Sequence, residues 1–297
     1  MFNWNHLESF LVLSRNGKLT IASKKLNIEP TTISRRILKL EQDLQTKLFV
    51  RNNNGYILTD SGHKLMSIAE RIESETISIS ENFSSQNLNI SGIVRIAMPE
   101  GLGLNFFSQY LNEFYKSHPE ICIELIADTR SRNLLTKEID VSINLSRPKT
   151  GKLVAWKLTD YHLRLYASLE YINASKPINS SKDLVEHKFI SYIDDLIDYP
   201  ELKYLNDLEN NIKIIFKSNS LKAQLNAVNK GIGISLLHCF IARKKENLKI
   251  LLKDEIKIKR EYWVVVHEDL IKLKRVRAVV DFLTDRVEKS KNEFLDY

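Results

Sequence analysis

Residues 19–58 read LTIASKKLNIEPTTISRRILKLEQDLQTKLFVRNNNGYIL, and the spacing inside this stretch decides the architecture of the N-terminal part. Ile33, Ile37, Leu40 and Leu44 recur at i, i+4, i+7 and i+11, which is the buried stripe of a helix running from Pro30 to about Asp43. Pro30 suits a first helical turn, where its missing N–H would have had no intrahelical acceptor. Upstream, the turn Asn27-Ile28-Glu29 separates this helix from a shorter one that carries Ala22 and Leu26, with Thr20 as its expected N-cap. Before that, Leu7, Phe10, Leu11 and Ser14 mark a first helix over Asn3 to Arg15, and Gly17 follows where a left-handed residue ends many helices. Downstream, Lys47-Leu48-Phe49-Val50-Arg51 and Tyr56-Ile57-Leu58 flank Asn52-Asn53-Asn54-Gly55, whose Asn-Gly end signals a hairpin. Two short helices joined by a tight turn and followed by a hairpin make a winged helix-turn-helix.

The side of the third helix opposite its apolar stripe carries Thr31, Arg35 and Lys39, flanked by Thr32 and Ser34. Hydroxyl and guanidinium groups there match base edges and phosphates if the helix enters a major groove; a plain solvated face is the alternative. Charge favours the first reading, because residues 18–51 hold eight basic and three acidic side chains. The candidate DNA contacts are Thr31, Thr32, Ser34, Arg35, Arg36 and Lys39 on the helix and Arg51, Asn53 and Tyr56 on the wing. Arg35 is the best base reader, since a guanidinium bridges O6 and N7 of guanine. Arg36 leans to the flank and suits a phosphate, Arg51 meets DNA or pairs with an acidic residue of the head, and Leu38 meets a thymine methyl or is an ordinary surface leucine. A second basic stretch, Arg243 to Arg277, has twelve basic and six acidic residues and no DNA-reading motif, so it reads as a solvated face.

From Thr59, an expected N-cap, to about Asn87 the chain reads as one helix, about 42 Å long at 1.5 Å per residue. Leu65, Ile72 and Ile79 recur every seven residues, joined by Ala69, Thr76 and Phe83, and this seam is the expected dimerisation surface. A polar, turn-rich linker from Ser84 to Gly92 follows. Strands then alternate with helices: Val94–Ala97, a helix from Asn105 to Lys116, Ile121–Ala127, a helix from Arg132 to Glu138, and Val141–Ile143. That order predicts an α/β domain with a parallel sheet, helices on both faces, and ligands bound beyond the carboxyl ends of the strands.

The chain has 297 residues, 43% hydrophobic and 27% charged, with 9 Gly and 6 Pro, which excludes disordered, collagen-like and low-complexity classes and allows about two domains. Cys122 and Cys239 are too few for a disulfide framework or a four-cysteine metal site. No secretory leader or membrane span is legible, so the expected compartment is the cytoplasm with no membrane partner. The net charge of +7 permits a polyanionic partner.

The chain resembles the LysR-type transcriptional regulators over essentially its whole length. In the head, Leu7 and Phe10, Ala22, Leu26, Ile33-Ser34-Arg35-Arg36-Ile37, Leu40-Glu41, Leu48-Phe49-Val50-Arg51 and Leu58-Thr59-Asp60-Ser61-Gly62 fall in the family's order and spacing. Further on, Gly92-Ile93-Val94-Arg95-Ile96, His118-Pro119, Glu138-Ile139-Asp140-Val141-Ser142-Ile143, Leu165-Tyr166-Ala167-Ser168, Gly231-Ile232-Gly233-Ile234 and Arg275-Val276-Arg277-Ala278 follow in family order. Pro30 stands where the family often has a polar base-contacting residue, and Gln45 stands where it usually has a glycine, so Gln45 must take that turn at some cost.

The resemblance implies a winged helix-turn-helix over 1–58, a linker and dimerisation helix with its hinge over 59–90, and a two-lobed effector domain over 91–297 like those of periplasmic binding proteins. Lobe I would comprise 91–160 and 268–297 and lobe II 161–267, with the chain crossing near Leu158 to Tyr161 and returning near Val265 to Glu268. A small-molecule effector would lie between the lobes. Residues expected there are Glu100, Gly101 and Leu102 after the first strand, Asn144 and Ser146 after Ile143, and Ser218 and Asn219 after the strand Ile212–Lys217. Glu100 either binds the ligand or caps a helix, and the other polar groups are also ordinary turn and cap residues. The implied partners are double-stranded promoter DNA, the effector, a second copy in a homodimer or homotetramer, and RNA polymerase.

Nothing in the sequence argues for an enzyme. The seven histidines form no HExxH pair, no GxSxG, Walker or GxGxxG motif occurs, and Asp194, Asp195 and Asp198 read as a solvated loop rather than a metal site. No cofactor is expected. A solute-binding protein is disfavoured by the missing export signal and the basic head, which leaves one alternative: a cytoplasmic small-molecule-binding protein with only non-specific DNA binding.

Overall fold

The computed structural model describes residues 3–52, 55–83, 90–128, 139–148, 152–203, 205, 208 and 212–295, in two compact units divided after Gln86. In the first unit, α1 (Trp4–Asn16) is opened by Asn3, whose Oδ1 accepts from the Asn5 N–H, and closed by Gly17 at φ +66°. Helix α2 (Leu19–Leu26) starts on Lys18, so Thr20 lies in its first turn and does not cap it. Gly17 ends α1 so abruptly that the chain re-enters a helix before Thr20 is reached. Asn27 closes α2 at φ +52°, and α3 (Pro30–Asp43) begins on Pro30 as expected. Ile33, Ile37 and Leu40 are buried with Leu7, Phe10, Ala22 and Leu48 in one core. Gln45 does take the left-handed turn, at φ +51° and a cost of about 1 kcal/mol.

The wing pairs β1 (Phe49–Asn52) with β2 (Gly55–Leu58) antiparallel, Phe49 opposite Leu58. It is tied to the end of α1 by the Tyr56 N–H, which donates to the Gly17 carbonyl at 2.7 Å. Helix α4 (Asp60–Phe83) is capped by Thr59, whose Oγ1 accepts from the Gly62 N–H at 3.0 Å. Its first turns belong to the head: Leu65, Met66 and Ala69 pack into the head core, and Arg15 donates twice to Glu73 at 2.9 and 2.7 Å.

The carboxylate of Glu41 fastens the wing to the end of α3. It accepts from the Leu48 and Phe49 N–H groups at 2.9 and 3.3 Å and from Lys47 Nζ at 2.6 Å. Burial pushes its pKa up, but the Lys47 ammonium and the two backbone donors outweigh that and hold it below the ordinary value. Glu41 therefore stabilises the head fully above about pH 4.3, and this contribution is lost as pH falls through the lower folded value. Thermal unfolding from pH 6 to 3 is expected to show a wild-type advantage over Glu41→Gln that shrinks toward the acid end; a constant gap would contradict this.

The second unit opens with β3 (Gly92–Met98) and α5 (Glu100–Asn105), continues through a 3-10 turn (Phe107–Tyr110) into α6 (Leu111–Ser117), and enters β4 (Ile121–Ala127). The single helix expected over Asn105 to Lys116 is thus broken. The break falls at Phe106, which leaves helical geometry at φ −131° and ψ −72°, and Phe106 and Phe107 are both buried there. Strand β5 (Val141–Asn144) matches expectation, and the helix expected over Arg132 to Glu138 lies outside the described residues.

Then follow β6 (Leu153–Ser168), α7 (Leu169–Ala174), β7 (Lys188–Ser191), β8 (Lys213–Lys217), α8 (Leu221–Asn229) and β9 (Ser235–His238). The chain ends through α9 (Cys239–Ala242), β10 (Leu248–Leu251), β11 (Ile258–His267), α10 (Lys274–Lys289) and α11 (Lys291–Phe294). Among the described residues the main sheet has the order β10-β6-β11-β5-β3-β4, with β9 also beside β6. Only β4-β3-β5 is parallel; β11 is antiparallel to both β5 and β6, so the sheet is mixed and not wholly parallel.

Strands β6 and β11 connect the two lobes. The far end of β6 pairs with β9 and β10 in lobe II, while Trp263–Val266 of β11 pairs with β5 in lobe I. The pairing of β11 with β6 slips between Tyr262 and Trp263. Val265, where the sequence places the start of the return crossing, pairs with Ser142 of β5.

Candidate nucleic-acid interface and ligand cleft

Burial of Ile33, Ile37 and Leu40 fixes the rotation of α3 and leaves Thr31, Ser34, Arg35 and Lys39 exposed together, with Thr32 half-buried. Arg36 turns to the flank, where its guanidinium donates to the hydroxyl of buried Ser9 on α1 at 3.2 Å. Lys39 pairs with Asp43 one turn on at 3.1 Å; with Lys39 58% exposed, such a pair is worth little and leaves the ammonium free to exchange to a phosphate. Leu38 stands 51% exposed beside this row. On the wing, the Arg51 guanidinium lies 6.0 Å from the Tyr56 ring centroid, and that ring packs edge-on against Phe49. Asn53 lies outside the described residues. The sequence reading missed the role of Glu41, whose carboxylate ties the start of the wing to the reading helix; its place in the Leu40-Glu41 pair of the family pattern was the available signal.

Along α4, Leu65 and Ala69 are spent on the head core, whereas Ile68, Ile72 and Thr76 are exposed. The side chains of Ile79 and Phe83 lie outside the described residues.

In the second unit the cleft between lobes is lined by Pro99, Glu100, Gly101 and Leu145 from one side and by Tyr192, Tyr199, Leu202, Leu221 and His238 from the other. Beside it, Ser142 and Asp128 line a neighbouring recess that also reaches Tyr199. Of the residues expected here, Glu100 and Gly101 line the cleft, while Leu102 is fully buried beneath it. Asn144 Oδ1 accepts from the Ser142 hydroxyl at 2.7 Å, and Ser146 is half-buried just beyond β5. Ser218 shapes the turn before α8: its N–H donates to the Ser191 carbonyl, its hydroxyl accepts from the Ser220 N–H, and Asn219 is exposed beside it. Ser220 and the aromatic lining escaped the sequence reading. Ser220 carried an N-cap signal, but Tyr192, Tyr199 and His238 come from turns and a strand end with no periodic mark.

The crossing itself is an aromatic stack. Tyr161 of β6 lies flat against Tyr262 of β11 at 4.2 Å and against His238 at 5.0 Å, all three buried. Burial pushes the His238 pKa down to about 3, so this ring is neutral across the physiological range.

A basic reading head followed by a two-lobed domain with a cleft at the crossing strands defines a ligand-responsive DNA-binding protein. The comparisons with known proteins agree. Residues 4–63 match the bacterial regulatory helix-turn-helix protein, lysR family, and residues 89–288 match the LysR substrate binding domain. The chain belongs to the LysR family of transcriptional regulators. It is 26% identical to the HTH-type transcriptional regulator PtxR of Pseudomonas aeruginosa over 64% of this chain and 61% of that protein. It is also 26% identical to the iron-regulated virulence regulatory protein IrgB of Vibrio cholerae, over 80% of each chain. Its fold is similar to the full-length structure of the Vibrio cholerae virulence activator AphB, with a TM-score of 0.58, 24% identity, and 96% of this chain and 99% of that one covered. Among the described residues no helix is long and apolar enough to cross a membrane.

Proposed function

We propose that this regulator reads promoter DNA with Thr31, Thr32, Ser34 and Arg35 in the major groove. Arg36, Lys39, Arg51, Asn53 and Tyr56 hold the flanking backbone. The observation that carries this reading is the exposed row Thr31, Ser34, Arg35 and Lys39 on a helix whose opposite side is locked into the head core. Two heads act on two half-sites through a homodimer joined along the outward side of α4, where Ile68 and Ile72 are 44% and 38% exposed. The effector occupies the cleft between the lobes, where Glu100 and Gly101 are the expected contacts that line it and Asn144, Ser146, Ser218 and Asn219 are not among its lining residues, and a cytoplasmic location follows from a promoter target. RNA polymerase is the partner that such promoter binding would serve. Selection of genomic fragments with the purified chain, followed by footprinting, is expected to enrich a two-fold symmetric site. Enrichment no better than random DNA at physiological salt would instead favour a small-molecule-binding protein with only non-specific DNA binding.

A further inference from the structure

At the cleft, one carboxylate bridges the two lobes. Glu100 opens α5 in lobe I, yet its Oε1 accepts from the Ser220 hydroxyl at 2.8 Å and its Oε2 accepts from the Leu221 N–H at 2.6 Å, both at the start of α8 in lobe II. The Leu221 N–H is one of the donors that no carbonyl of α8 can reach, and a carboxylate is the strongest acceptor a protein can offer it. Ser220 is held in place because its Oγ also accepts from the Ala223 N–H at 3.2 Å. Next to Glu100, Gly101 brings the backbone so close that a Cβ there would stand 2.6 Å from Leu221 Cδ2. Among the described residues the cleft that remains encloses about 10 Å³, against roughly 300–1,000 Å³ for sites that hold organic ligands. An effector must therefore part Glu100 from α8 or be built around that contact.

We propose that Glu100 is the specificity-determining residue of the cleft, a built-in acid that occupies the donors of α8 and latches the lobes, so that the cleft takes neutral or cationic effectors and rejects acidic ones. This rests on the cleft being the effector site. A carboxylate or phosphate brought here meets the Glu100 charge and finds the Ser220 hydroxyl and the Leu221 N–H already engaged. A ligand bearing ammonium or hydroxyl donors satisfies the Glu100 oxygens as they leave α8, and Tyr192 and Tyr199 offer it ring surface.

The test uses the full chain, its Glu100→Ala and Glu100→Gln variants, and acetate as the probe acid. Glu100→Ala is expected to lower the Tm of the second unit by about 3 °C. About 0.1 M sodium acetate should restore at least half of that loss, acetamide and sodium chloride should restore none, and the wild type should not respond to acetate. In Glu100→Gln, hydrogen exchange in the peptide carrying the Leu221 N–H should rise about 10-fold. Equal acetate responses in wild type and Glu100→Ala, or unchanged exchange in Glu100→Gln, would overturn the assignment. Should Glu100→Ala not fold, the exchange measurement and the wild-type acetate titration decide alone. Failure of the wild type to select DNA would strike the regulator reading and leave the acetate result untouched, so the two ideas fail separately.

Discussion

Arg35→Ala is expected to weaken binding to a selected site by about 10- to 100-fold while changing affinity for random DNA little, as the loss of one bidentate guanine contact requires. Arg35 is exposed one turn into α3, between Thr31 and Lys39, and its place rests on the burial of Ile33 and Ile37 on either side. Lys39→Ala is the matched contrast. Lys39 pairs with Asp43 and is itself 58% exposed, so its removal should weaken both DNAs alike and lower the slope of log affinity against log salt by about one. Parallel losses on both DNAs for Arg35→Ala would remove it from the base contacts and make it a phosphate ligand.

The second large effect concerns the wing. Gly55 sits at φ +132°, and a Cβ there would lie 2.2 Å from the Gly17 carbonyl oxygen, the oxygen that accepts from the Tyr56 N–H. Gly55→Ala must therefore move backbone against backbone, at an expected cost of about 2–4 kcal/mol to the head. Gly17→Ala, with its nearest contact at 3.6 Å and φ +66°, pays only for the left-handed conformation, about 1 kcal/mol. Thermal unfolding of the head should separate the two variants clearly. Equal destabilisation would show that the wing is not pressed onto the end of α1 as described.

Periodicity made most of the head legible. The four-residue spacing of Ile33 and Ile37 marked α3 and its exposed side, the asparagine-rich stretch marked the hairpin although Gly55 itself pairs with Asn52 as the first residue of β2, and Gly17 marked the end of α1. Thr20 misled because a capping side chain is a local preference, overridden when the preceding left-handed glycine sets where the next helix begins. In α4 the seven-residue repeat was real but mixed two environments, since Leu65 and Ala69 face the head core while Ile72 faces outward. A one-dimensional repeat carries no information about which neighbour covers it. The cleft was least legible for the same reason: Glu100 and Ser220 are 120 positions apart, and Tyr192 and Tyr199 come from irregular turns. Strand alternation suggested a parallel sheet, which holds for β4-β3-β5 and ends where β11 returns antiparallel.

The most direct test of a ligand-responsive regulator is titration of the selected fragment with the full chain, in the presence and absence of each member of a metabolite library at fixed salt. At least one compound is expected to shift the affinity about 5- to 150-fold, the usual range of coupling between two sites, and to lose that effect in Glu100→Ala. Affinity unmoved by any compound, with the compounds nonetheless binding the second unit, would show that cleft and reading head are not coupled.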